Sequence, residues 1–185
     1  DCTDSPLQVD YEHVRYYNGK VNCGNLFLEA DIGGGINIPP TVNYPNDQIN
    51  NGPEVSDNYL TVGAITLTFG QEMVADYSNY GKINVDIFAP GSEIYSTVPN
   101  NKYEYFDGTS MASPAVSGIA AIIRSQYPTL SATQVKRIIL ESGIVLNQKV
   151  TVGGIQADQK PFASLSKSGK IVNLYNALIL ASQQI

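Results

Sequence analysis

Short apolar runs of strand character alternate with longer runs of helical period over the last two thirds of the chain. Leu60-Thr61-Val62-Gly63-Ala64-Ile65, bounded by turn residues, reads as a buried strand. Val85-Asp86-Ile87-Phe88-Ala89, running into Pro90-Gly91, reads as a second. Residues 93–98 and 103–106, separated by Pro99-Asn100-Asn101, predict a β-hairpin. Behind the hairpin, Met111, Ala115, Val116, Gly118, Ile119, Ala120, Ile122 and Ile123 make a helix apolar on nearly every side, which predicts burial. Pro128 ends that helix. Ser131-Ala132-Thr133-Gln134 has the form of a capping box for a second helix through Ser142, closed by Gly143. Val135, Ile138 and Ile139 supply its apolar face. A strand and turn at Val150-Thr151-Val152-Gly153-Gly154-Ile155 follow, and Asn173 caps a last helix carrying Leu174, Ala177, Leu178 and Leu180.

Strands leading into buried helices predict an α/β fold, a mostly parallel sheet with helices on both faces. Residues 1–55 are different: polar, rich in Gly, Pro and Asn, and without period. Gly33-Gly34-Gly35 and Pro39-Pro40 mark loops there. The expectation is one domain over 1–185, irregular in 1–55 and regular in 56–185, with no internal repeat.

Composition narrows the function classes. A hydrophobic content of 43% and a charged content of 15% describe an ordinary globular protein. The net charge of −6, with no Lys/Arg cluster, argues against nucleic acid as a partner. No apolar stretch is long enough for a membrane span. No leader is visible, so Asp1 reads as the start of a mature or trimmed chain. Cys2 and Cys23 are either disulfide partners, implying an oxidising compartment, or two unrelated thiols. A lone histidine, His13, and the lack of a Cys/His cluster suggest no metal site.

The chemistry concentrates at Phe106-Asp107-Gly108-Thr109-Ser110-Met111-Ala112-Ser113-Pro114. This places the Ser110 hydroxyl where an extended segment becomes a helix. The first turn of a helix has unpaired N–H groups and the positive end of the dipole. That field favours the developing oxyanion of acyl transfer. Gly108, Ala112 and Ser113 leave room for a substrate backbone, and Pro114 is placed in the first helical turn, where a missing N–H costs nothing. Taken generically, Ser and Thr before an apolar run are simply helix caps.

The specific string favours the nucleophile over the cap. Residues 108–114 resemble the active-site serine motif of the subtilisin-like serine peptidases, the subtilases. Tyr77-Ser78-Asn79-Tyr80-Gly81, Asp86-Ile87-Phe88-Ala89-Pro90-Gly91, Ile94-Tyr95-Ser96-Thr97 and Asn173-Leu174-Tyr175-Asn176-Ala177 resemble further family elements in the family's order. The resemblance runs from about Asn43 to the C-terminus. It implies a subtilisin-like fold, incomplete at its N-terminal side, and a serine endopeptidase acting on polypeptides through an acyl-enzyme on Ser110. An α/β-hydrolase esterase fits less well, because Ala112 stands where its nucleophile turn requires glycine.

The family's Asp-[Ser/Thr]-Gly and His-Gly-Thr-His motifs are missing. His13 sits in Tyr11-Glu12-His13-Val14-Arg15, which reads as a structural stretch, and Asp4-Ser5 runs into Pro6 and reads as a turn. A serine hydroxyl without a base is a poor nucleophile. The chain alone is therefore expected to be inactive, a C-terminal part whose Asp and His come from a missing N-terminal segment. The alternative is a catalytically inactive subtilase-like binding or structural module. For the family's oxyanion-binding Asn, Cys23-Gly24-Asn25 offers Asn25, with Asn46 and Asn79 as weaker candidates. The resemblance also implies no required cofactor, although structural calcium is allowed for and Asp31, Asp47 and Asp57 lie in loop-like sequence. It further implies a secreted, periplasmic or cell-surface location.

Overall fold

The computed structural model describes residues 27–30 and 58–184. In chain order the first elements are β1 (Phe27–Ala30), β2 (Tyr59–Ile65), β3 (Ile87–Pro90), β4 (Ile94–Val98), β5 (Lys102–Phe106) and α1 (Thr109–Gln126). Then come α2 (Ala132–Ser142), β6 (Ile144–Val145), β7 (Lys149–Val152), β8 (Ile155–Pro161), β9 (Lys170–Ile171) and α3 (Leu174–Ser182).

The apolar run around Val62 becomes β2, buried at every position after its first. Burial on both faces is what a continuous hydrophobic strand in a parallel sheet requires. β2 pairs in parallel with β1 on one side and β3 on the other. The sheet runs β1-β2-β3-β9-β6, with β9 parallel to β3 and β6 antiparallel to β9. Asp86 secures the entry to β3: its backbone N–H donates to the Thr61 carbonyl (2.9 Å) and its Oδ2 accepts from the Thr61 N–H (2.8 Å).

Successive residues of a strand face opposite ways, and here they feed two cores. Leu60, Val62, Ala64, Ile87 and Ala89 pack with Ala112, Val116 and Ile123 of α1, Val135, Ile138 and Ile139 of α2, and Ala177 and Ala181 of α3. Phe88 and Ile171 turn the other way, into a core with Met73, Val85, Val150, Val152, Phe162 and Leu165. Among the described residues the three helices thus share one face, and the β7–β8 hairpin and flanking loops cover the other. Each fully buried aliphatic or aromatic side chain contributes about 1.5–3 kcal/mol.

Gly63 faces the second core with no space to spare. A Cβ there would lie 2.6 Å from the Phe88 ring, which is itself 5.3 Å from the Phe162 ring, centroid to centroid. Gly63→Ala is expected to destabilise by about 1–3 kcal/mol, the range for overpacking. A denaturant midpoint equal to wild type would refute this.

Local elements follow their signals. The capping box forms in full, with Gln134 N–H donating to Ser131 Oγ (3.2 Å) and Ser131 N–H to Gln134 Oε1 (2.8 Å). Asn173 Oδ1 accepts from Asn176 N–H at 2.8 Å and caps α3. Gly153 and Gly154, with φ of 60° and 68°, supply the left-handed pair that a two-residue hairpin loop needs. Asn100 and Asn101 do the same work between β4 and β5, at φ of 66° and 56°. On that hairpin Tyr95 pairs with Tyr105 and neighbours Tyr103, ring centroids 4.7 and 5.5 Å away.

Three expectations need correction. Residues 1–55 are not irregular throughout, since Phe27–Ala30 forms β1 and pairs in parallel with β2. α1 is not buried all round: Ala112, Val116, Ala120 and Ile123 face the sheet, while Pro114, Ala115, Gly118 and Ile122 are exposed. The described elements pack against one stripe of the helix, and nothing among them covers the other. Pro114 also lies beyond the first turn. As the sixth residue of α1 it removes the rung that would bond the Ser110 carbonyl, four residues back.

Candidate active site

The site is built where β3 ends and β5 gives way to α1. Gly91 N–H donates to the Ile65 carbonyl (3.0 Å), so the chain leaving β3 stays on the sheet. Gly108 N–H then donates to the Gly91 carbonyl (2.8 Å), drawing the end of the β4–β5 hairpin onto that strand end. Glu93 N–H donates to Asp107 Oδ1 at 2.6 Å and closes the base of the hairpin. Glu93 itself sits at φ 55°, a left-handed conformation unusual for a side chain of its length.

This convergence requires glycine at position 91. A Cβ there would stand 2.7 Å from Ala64 Cβ, 2.8 Å from the Gly108 carbonyl oxygen and 3.2 Å from Ala112 Cβ. β2, the hairpin and the first turn of α1 therefore meet around a position with no room for a side chain.

Ser110 is the second residue of α1 and is solvent-exposed. Gly108, the N-cap, has no side chain to bond the first-turn N–H groups, and the first turn carries no acidic residue. Met111 N–H turns back to the Gly108 carbonyl at 3.0 Å, and the Ser110 N–H ahead of it lies at the end where an anion meets the positive dipole terminus. An exposed hydroxyl can carry an acyl group once a base removes its proton, and the N–H of the same residue at a helix start can stabilise the oxyanion formed on the way.

The described residues include no histidine to serve as that base. His13, Asp4, Ser5, Asn25, Asn46, Asp31, Asp47, Asp57, Cys2 and Cys23 all lie outside the described residues. Asp107 is near in sequence, but its carboxylate is engaged with the Glu93 amide. Asn79 is only 4% exposed, so it does not offer its amide to solvent as Ser110 does its hydroxyl. Among the described residues no three His, Cys, Asp or Glu side chains converge on a metal-binding point. No helix among them is long and apolar enough to cross a membrane.

One polar group at this junction is not evident from sequence. Tyr77 Oη is 2.9 Å from the Gly91 carbonyl and 2.8 Å from Ser92 Oγ. Burial pushes its phenol above the ordinary tyrosine value, against the opposing pull of the Ser92 hydroxyl and the Gly108 amide. At neutral pH it is therefore a neutral donor. The strings around Tyr77, Gly91 and Gly108 each stand out in the sequence, but nothing in their spacing shows that they meet.

The model of the subtilase family matches residues 34–169. Over 84 residues the chain is 45% identical to subtilisin DY of Bacillus licheniformis, covering 45% of this chain and 29% of that protein. Over 128 residues it is 54% identical to subtilisin-like protease 2 of Plasmodium falciparum, covering 66% of this chain and 8% of that one. Among solved structures, the A-subunit of the AB5 toxin from E. coli aligns with a TM-score of 0.60 at 22% identity, over 81% of this chain and 48% of its own. That last likeness is one of fold. The chain thus spans less than a third of the length of these two curated relatives.

Proposed function

Since the chain belongs to the subtilase family, we propose that it is the serine-bearing part of a serine endopeptidase. Ser110 attacks the scissile carbonyl of a polypeptide and becomes the acyl-enzyme, and the first-turn amides of α1 stabilise the tetrahedral oxyanion. The observation that carries this reading is an exposed serine hydroxyl at an uncapped helix start, within the family's serine string. The base and its orienting carboxylate are supplied from outside the described residues, with Asn25 as the candidate for a second oxyanion donor. The chemistry asks for no cofactor, and any calcium would serve stability. Export to the cell exterior suits a protease of this kind.

A fluorophosphonate probe, which phosphonylates only an activated serine, tests the reading. In the full-length protein, covalent label is expected on Ser110 and nowhere else, read by mass spectrometry of the digest. A protein that folds and is never labelled would be a non-catalytic subtilase-like module instead.

A further inference from the structure

We propose that the Tyr77 hydroxyl is a positioning group for Ser110, acting through the Gly91 carbonyl; this rests on the reading of Ser110 as the nucleophile. The Gly91 oxygen accepts two hydrogen bonds, from Tyr77 Oη–H at 2.9 Å and from Gly108 N–H at 2.8 Å. A carbonyl has two lone pairs, so this node is complete. Gly108 is the N-cap of α1, two residues ahead of Ser110. A shift of the Gly91 carbonyl would therefore carry the serine turn with it.

Tyr77 is well placed to prevent that shift, because its own loop is tied to β2. Ala75 N–H donates to the Ala64 carbonyl (3.1 Å), and Ala64 N–H donates to Ser78 Oγ (2.9 Å). The ring packs partly buried against the helix-side core. With the phenolic proton committed to Gly91, Ser92 Oγ–H donates to Tyr77 Oη across 2.8 Å and fixes its rotation. The hydroxyl thus links the central strand to the strand end on which the serine turn hangs. It exchanges no proton with substrate, so its effect is on geometry, where an error of about an ångström costs up to about a hundredfold in rate.

Tyr77→Phe keeps the ring and deletes only the hydroxyl. In the full-length protein we expect the maximal rate of fluorophosphonate labelling at Ser110 to fall about tenfold. The half-saturating probe concentration and the thermal midpoint should stay close to wild type. Ser92→Ala is expected to give a smaller loss, and the double variant no more than Tyr77→Phe alone, because both hydroxyls act through one node. Labelling of a folded Tyr77→Phe at the wild-type rate overturns the proposal. So does a loss that appears only together with a collapsed thermal midpoint, since that marks a merely structural role. Should Tyr77→Phe not fold, Ser92→Ala decides, and wild-type labelling there overturns it. Failure of the wild type itself to label sinks the earlier reading of Ser110, a result visible before any Tyr77 variant is made.

Discussion

Ser110→Ala in the full-length protein should lower kcat for peptide hydrolysis by about 10⁶, the magnitude the reference case subtilisin shows and which is carried over from it. The size follows from the role proposed for the hydroxyl. Without it no acyl ester forms, and only binding and oxyanion stabilisation remain, worth about 10³–10⁴ over water. The fold should hardly notice. The Ser110 side chain is exposed and small, so the change in stability should stay within about 0.5 kcal/mol. Turnover of an unstructured protein substrate, with thermal midpoints of both forms, checks the two halves together. Retention of activity to within about tenfold, in a protein of unchanged midpoint, would remove Ser110 from the chemistry.

Gly91→Ala should damage both the fold and the serine turn. Its added methyl would meet Ala64 Cβ at 2.7 Å and the Gly108 carbonyl at 2.8 Å, and neither can rotate away. One is a methyl on a central strand and the other is the backbone of the serine turn. The expected cost is about 3 kcal/mol, the upper end for overpacking, or roughly 6–12 °C in Tm for a chain of this length. Labelling of Ser110 should drop even in the molecules that remain folded, because relief comes by pushing Gly108 away. Gly118→Ala is the control: among the described residues nothing lies within 4 Å of a Cβ there, and alanine in a helix gains up to about 1 kcal/mol. If both variants melt together, close approach at Gly91 is not what holds the turn.

Much of the architecture was legible because local signals and tertiary packing agree. The capping box at Ser131 and Gln134, the Asn173 cap and the Gly153-Gly154 turn each need only neighbouring residues, and each forms as its sequence predicts. β2 reads correctly because a strand buried on both faces is apolar throughout. α1 misleads for a related reason. Uniform apolarity reports that a helix is meant to be covered, not by what, and the described elements cover only the stripe of Ala112, Val116, Ala120 and Ile123. Pro114 misleads by register. A proline near a helix start suggests the first turn, but α1 begins at Thr109 and leaves it a turn too late. The Tyr77–Gly91–Gly108 node was not legible at all, since it joins residues 14 and 17 positions apart through backbone atoms that carry no sequence signature.

Pro114 bears on how Ser110 can move. A regular helix couples each carbonyl to the amide one turn ahead, so a displacement at one end is resisted along the whole rod. At Ser110 that coupling is interrupted, because the residue due to bond its carbonyl has no hydrogen to give. On the reading of Ser110 as the nucleophile, the first turn is a collar held by one rung fewer, free to adjust as the attacked carbon changes from planar to tetrahedral, while the shaft behind it stays seated in the core.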